Sequence, residues 1–550
     1  MNGTHLEAPA YGLRNGKDDE DSLNRLLFLV AFMVFTILSI RSIASYDYFW
    51  HLASGRWIVE HGALPLTDPF TVASDRVAWI DGEWLFQIVL YLLYSIRGNI
   101  VAVLATALVI SLIFALVARQ AARSLPVELA FFLALVCWWS ALPQLGARPS
   151  TVAALFLVIG LLILGSARSP RRIWLYALLS ILWINIHPSA LLAPVIAALW
   201  ELGELATNRR RPIVLHAFGL VMASLAALLI NPYGWKSITA PILLTHWVAS
   251  GAFTNSEWLP SSPILFPLLY VSAVLALVLL LWRWKDAGQL SRLLVLFLLA
   301  LLALRSVRNQ PLFFSCLPLL AAPALWSFAR SPLLRRAAML LASLLIVFAL
   351  PRIRITPTVA PERFPILATG QLRDSRLSGN IFNADQFGGF LIWAFYPERR
   401  VLTDGRNELY KTFIPEDARA RKDARAWRAL LDKYDVTLAL DEYRPPTEVT
   451  PFGSGVKATM PASLAYYPRS EWALVGFDDV AMLFARRRAF DPALLAAREY
   501  RLLVPDEREV KIPDGTKQRE EMSREVRRAK VSIGEIGVVK RMERALSGRR

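Results

Sequence analysis

Cysteine is almost missing: the 550 residues include two, Cys137 and Cys316, both inside apolar runs. No disulfide framework and no CxxC metal site can be built, and both read as buried free thiols. The GxxxxGK[ST] and GxGxxG phosphate loops, the HExxH metal helix and the GxSxG nucleophile turn are also lacking. Soluble nucleotide and hydrolase chemistry thus has no support. Charge is unbalanced, with 61 Lys and Arg against 44 Asp and Glu, a net +17. These basic residues are spread over short loops and a tail, not gathered in one patch, so nucleic acid is not expected as a partner. No internal repeat is visible, and no small-residue cleavage site follows the first apolar run, which reads as a retained anchor.

What is abundant is apolar sequence, 55% of the chain, concentrated between Leu26 and Leu350. A hydrocarbon core about 30 Å thick takes roughly 20 apolar residues per helical crossing. The pattern predicts about eleven membrane helices, near 26–44, 99–118, 127–143, 149–166, 172–187, 189–206, 213–230, 264–282, 290–304, 311–328 and 333–350. The fold class expected is therefore an α-helical polytopic membrane protein. Alternate loops concentrate arginine: Arg119 and Arg123, then Arg168, Arg171 and Arg172, then Arg209 to Arg211, then Arg283, Lys285 and Arg292, then Arg330, Arg335 and Arg336. The opposite short loops have Arg148, Lys236, Arg305 and Arg308. Cytoplasmic loops retain Lys and Arg. The tail 1–25 is thus expected in the cytoplasm, and residues 45–98 and everything after 350 outside. This requires the apolar stretch Glu83–Ile96, too short to span, to lie at the outer interface.

After residue 350 the composition changes. Gly379–Asn383, Arg400–Thr403 and Val436–Leu440 read as short strands, Phe387–Phe395 and Ala418–Lys433 as helices, and Trp472–Ala485 as a hairpin turning at Asp478 and Asp479. A small extracytoplasmic α/β domain is expected over 351–490, beside the helical core 26–350 with its first outer loop 45–98. Residues 491–550 read as a charged tail, exposed helix or disordered.

Polar groups near membrane depth are costly and mark candidate sites. On the expected outer side lie Asp47 and His51, one helical turn apart, then Asp81 and Glu83, Arg148, Asn185 and His187, Asn231, Glu257, and Arg305, Arg308 and Asn309. Carboxylates with arginines suit a reaction that deprotonates a nucleophile and holds an anionic phosphate leaving group. The plainer readings stay open: helix caps or loop ion pairs for Asp47 and Glu83, a hydrogen-bonded helix end for His187, snorkelling to lipid phosphate for the arginines. Asp47, His51 and Glu83 could also hold a divalent metal.

The motifs DYFWHLASGRWIVEHGALPLTDPF, WIDGEWLFQIVLYLLY, WINIHPS, NPYGW and LTDGRNELY run from Asp47 to Tyr410. Together with an acid just after the first span and an outer C-terminal domain, they resemble the type-C glycosyltransferases, which include protein O-mannosyltransferases, the aminoarabinose transferase of lipid A and oligosaccharyltransferase subunits. The likeness is to a bacterial branch of that superfamily. It implies transfer of a sugar from a polyprenyl-phosphate donor to an envelope acceptor, with inversion. Asp47 would be the base, assisted by Asp81 or Glu83. Arg148, Arg305 or Arg308 would bind the donor phosphate, and Asp404 and Arg406 of LTDGRNELY would line the site. The chain departs from the family where two adjacent acids are usual, since Asp47 stands between Tyr46 and Tyr48. It also lacks a WWDYG-like element. A non-catalytic transporter or assembly scaffold is the alternative, although nearly uncharged midplane segments and the lack of repeated halves speak against transport.

Overall fold

The computed structural model describes residues 11–207, 210–251, 255–286, 288–326, 331–353, 358–449, 458–507 and 509–548. The loop arginines Arg209 and Arg330, and the start of the expected cytoplasmic tail, lie outside the described residues. The chain divides into two compact units, one of residues 1–43, 82–86 and 92–358, the other of 44–81, 87–91 and 359–550.

The first unit is helical. A helix occupies each of the eleven expected positions: Tyr11–Ser39, Asn99–Ala121, Val127–Ala141, Pro149–Leu164, Pro170–Ile186, Leu192–Thr207, Arg211–Ala227, Pro267–Trp282, Gln289–Arg305, Gln310–Leu325 and Pro332–Ala349. Among the described residues, five apolar stretches of at least 18 residues are long enough to cross a membrane by length and composition. Shorter apolar helices include Pro149–Leu164, Arg211–Ala227 and Pro267–Trp282. Small residues pack inward and large ones face out. In Pro267–Trp282, Leu269, Ala273, Ala276 and Leu280 are buried, while Val271, Val274, Leu275, Val278 and Leu281 are more than half exposed. An apolar face so extensive is incompatible with water and fits lipid. The protein is a multi-pass membrane protein. Helix Lys236–Ala249, with Pro241 inside it, was not anticipated.

The second unit is an α/β domain. Its strands are β1 (Asn380–Asn383), β2 (Val436–Glu442), β3 (Thr447–Val449), β4 (Ala458–Met460), β5 (Trp472–Phe477) and β6 (Ala481–Arg486). A four-stranded sheet runs β1-β2-β6-β5, with β1 parallel to β2 and the other pairs antiparallel; β3 and β4 form a separate pair. The hairpin turns at Asp478 as expected, and Asp478 Oδ1 accepts the N–H groups of Val480 and Ala481.

Four expectations need correction. Arg400–Thr403 is no strand: Val401 makes isolated bridges to Ile381 and to Thr71. Val72 and Ala73 donate to the carbonyls of Val401 and Leu402. Residues 44–81 therefore fold with the C-terminal domain, not with the core to which 45–98 was assigned. Helix Ala418–Lys433 is two helices, Phe413–Ala420 and Ala424–Lys433, because Asp423 caps the second through the N–H groups of Arg425 and Ala426. The charged stretch after 491 is folded: helices Thr516–Ile533 and Gly537–Leu546 bury Met522, Val526, Ala529, Ile533, Val538, Val539 and Met542 in the domain core.

Candidate functional site

In the first unit, the sequence-predicted residues gather in two clusters. Glu83 begins helix Trp84–Arg97, yet its side chain makes no capping hydrogen bond. Its Oε1 lies 3.7 Å from His187 Nε2. His187 Nδ1 accepts the Ser189 N–H at 3.1 Å, so a neutral His187 has its proton on Nε2, toward Glu83. Trp84 Nε1 donates to Asn185 Oδ1 at 3.1 Å, and Asn231 Nδ2 reaches the same oxygen at 3.2 Å. Trp84, Asn185 and Asn231 line an open groove of about 510 Å³, whose other walls are Leu85, Ile181, Leu182, Leu229, Ile230 and Pro232.

The second cluster pairs Arg148 with Glu257 in a bidentate bridge, 2.7 and 3.0 Å. Two residues of the site thus neutralise each other, and a donor phosphate would have to displace a carboxylate to use Arg148. Arg308 lies over the Trp258 ring, 4.4 Å from its centroid. Asn309 donates to the Leu302 carbonyl, a helix-end contact. Arg305 is exposed.

In the second unit, Asp47 begins helix Tyr48–His61, again without a side-chain cap bond. Its Oδ1 instead accepts Trp50 Nε1 at 3.3 Å. His51 is buried against Trp50, ring centroids 3.7 Å apart. Asp81 is buried and accepts from Gln87 Nε2 at 2.9 Å. Asp404 and Arg406, expected to line the site, are fully buried. The Arg406 guanidinium is held between Asp404 and Asp68, the latter at 2.9 Å, and sits 4.5 Å from the Trp79 ring centroid. Burial alone would raise the Asp68 pKa, but Arg406, the Ser74 and Thr71 hydroxyls and the Phe70 N–H together hold it below the usual value. Arg406 is raised well above its ordinary value by Asp404 and Asp68, against burial. This is an internal support rather than a reactive centre.

Sequence reasoning missed Asp68, Trp50, Ser189 and Glu408. Asp68 and Glu408 sit inside the quoted motifs LTDPF and LTDGRNELY, where their carboxylates were the available signal. Among the described residues, no group of three His, Cys, Asp or Glu side chains is placed to hold a metal ion.

No family model matches the chain, and no curated protein matches it in sequence. Solved structures do resemble it in fold. The oligosaccharyltransferase of Archaeoglobus fulgidus, tethered to an acceptor peptide, matches with TM-score 0.53 and 11% identity over 80% of this chain and 74% of that one. The same organism's AglB, with an inhibitory peptide and a dolichol-phosphate, matches with TM-score 0.52 and 11% identity over 77% and 70%. ArnT from Cupriavidus metallidurans, bound to undecaprenyl phosphate, matches with TM-score 0.51 and 13% identity over 84% and 97%. The chain has the type-C glycosyltransferase fold.

Proposed function

We propose that the protein is a membrane glycosyltransferase that moves a sugar from a polyprenyl-phosphate donor to an envelope glycan, lipid or protein at the outer face of the cytoplasmic membrane. The observation that carries this reading is the fold shared with enzymes solved holding dolichol-phosphate or undecaprenyl phosphate. Asp47 is the candidate base, its Oδ1 accepting the Trp50 indole N–H at 3.3 Å. It takes the acceptor hydroxyl proton as the acceptor oxygen attacks the sugar C1. The C1–O bond to phosphate breaks, and polyprenyl phosphate leaves from the opposite face, inverting C1. Glu83, with its partner His187 3.7 Å away, is the second acid–base candidate. Arg305 and Arg308 hold the phosphate charge, while Arg148, committed to Glu257, fixes the loop that presents them.

The test uses purified protein in nanodiscs, polyprenyl-phosphate sugars and envelope acceptors. Asp47→Asn keeps the shape and removes basicity. It is expected to insert normally and lose at least about a hundredfold in transfer rate, the lower end for a general base. Full activity of this variant would remove the catalytic reading of Asp47.

A further inference from the structure

The second unit has a pocket of its own, bordered by the residue before Asp47. It is open and about 210 Å³ in volume. Its walls come from Tyr46, from Gln386 and Phe387 in the first turn of helix Asp385–Phe395, from Glu442 and Tyr443 at the end of β2, and from Asp479 in the β5–β6 turn. The helix that supplies Gln386 and Phe387 also packs on the Asp47 segment. A Cβ on Gly389 would meet the Trp50 nitrogen at 3.0 Å and the Tyr46 carbonyl at 3.1 Å. The helix thus lies directly on residues 46–50, where Trp50 donates to Asp47 Oδ1 at 3.3 Å.

Most polar groups of the pocket are acceptors. Gln386 donates to one Glu442 oxygen, and Arg444 lies 2.7 Å from the other. The two Asp479 oxygens accept the N–H groups of Gly537 and Val538, each at 2.8 Å, where helix Gly537–Leu546 begins. A carboxylate oxygen can accept two hydrogen bonds, so each of these still offers a lone pair. Both negative charges are already answered, one by a guanidinium and one by the positive end of a helix. The Tyr46 ring is flanked by Arg363 at 4.3 Å and by the edge of Phe364 at 5.5 Å. Burial pushes the Tyr46 phenol up; Arg363 opposes this, and Glu442 and Asp385 add to the rise. Its hydroxyl therefore keeps its proton and is a donor. Tyr443 is anchored by its own hydroxyl, which donates to the Asp478 carbonyl at 2.7 Å.

A ligand matching these walls has an apolar face for the aromatic rings, several hydroxyls for the carboxylates and the amide, and no net charge. An anion would meet two carboxylates, and a bare cation would find their charge already taken. The volume is below the roughly 300–1,000 Å³ of sites for drug-sized ligands, which suits a single ring. We propose that this pocket binds a neutral sugar ring of the acceptor, so that the hydroxyl to be glycosylated belongs to a sugar. The assignment to the acceptor rests on the transferase reading above. The donor's own sugar is joined to phosphate, and like charges placed together are costly. Tyr46, in the pocket wall, directly precedes the candidate base.

Two readouts test this. The first needs no activity: saturation-transfer NMR of the full-length protein in nanodiscs. The probes are the methyl glycosides of glucose, galactose, mannose and N-acetylglucosamine, with methyl glucuronide as the anionic control. At least one neutral glycoside should bind, and the glucuronide should not. Tyr46→Phe keeps the ring and removes one hydroxyl, so it should weaken that binding about three- to tenfold, as the loss of one neutral hydrogen bond does, at an unchanged melting temperature. Glu442→Gln should weaken it at least as much. No binding by any neutral glycoside, or wild-type binding in both variants, overturns the site. Preference for the glucuronide overturns the neutral ligand. The second readout is transfer kinetics with a glycan acceptor, in which the Tyr46→Phe loss should fall on the acceptor KM. A loss on the donor KM instead overturns the assignment to the acceptor. Glycoside binding with no transfer from any polyprenyl-phosphate sugar keeps the sugar site and defeats the transferase reading. Transfer with an unmoved acceptor KM does the reverse.

Discussion

Arg406 shows how a charged residue in a conspicuous motif can be structural. Its guanidinium is wholly buried, with Asp404 and Asp68 on either side. Removing one member of such a group leaves uncompensated charge in low dielectric, which costs about 3–5 kcal/mol. Arg406→Met strands two carboxylates, so thermal or urea unfolding of the second unit should show a loss of that size. Asp68 adds a pH signature. Its pKa is depressed in the folded state, so its contribution is complete above the unfolded value near 3.9 and is lost as pH falls through the lower folded value. Urea midpoints should therefore drop below about pH 4, and Asp68→Asn should flatten that drop; a wild-type midpoint constant to pH 3 would contradict it. Asp47 was legible in the sequence because an acid at the exit of a hydrocarbon helix is unusual wherever it occurs. Glu408 was not. Nothing in a turn motif says that burial will raise its pKa.

At the scale of elements, periodicity located the membrane helices well, since a run without charge has few other uses. It failed where charge is used internally. Glu525 is buried and accepts the N–H groups of Arg501, Leu502 and Leu503. Thr516–Ile533 thus looked like an exposed tail although Met522, Val526, Ala529 and Ile533 form one face. The pairing of residues 72–73 with 401–402 was equally hidden, because a two-residue bridge leaves no pattern at so long a separation. Close packing is where this domain is most sensitive. A Cβ on Gly55 would lie 2.0 Å from the Gln87 carbonyl oxygen and 2.9 Å from the Tyr91 Cβ. Gly55→Ala should therefore destabilise the protein by about 1–3 kcal/mol, the usual range for overpacking, and by more than Gly370→Ala, where nothing lies within 4 Å. Equal melting temperatures for Gly55→Ala and wild type would refute the contact.

For the whole molecule, the second unit constrains the topology independently of the arginine bias. Residues 44–81 and 359–550 form one compact body, so both must lie on the same side of the membrane. The number of crossings between them is then even. Among the described residues, ten helices from Asn99–Ala121 to Pro332–Ala349 occupy the expected crossing positions, which satisfies that condition if Trp84–Arg97 and Lys236–Ala249 do not cross. Each of these two has 14 residues, about 21 Å of helix at 1.5 Å per residue, shorter than any of the ten and further from the roughly 30 Å core. Several loop arginines have local acidic partners: Arg172 with Glu201, Arg335 with Glu128, Arg283 with Asp286. Orientation depends on Lys and Arg with little weight from acids, so these pairs leave the expectation of cytoplasmic loops unchanged. Reporter fusions after Gly62, Arg168 and Gly548 should therefore read outside, cytoplasm and outside. Matching signals at Gly62 and Arg168 would mean that Trp84–Arg97 crosses after all. A cytoplasmic signal at Gly548 with an external one at Gly62 would contradict the single body formed by the first loop and the C-terminal residues.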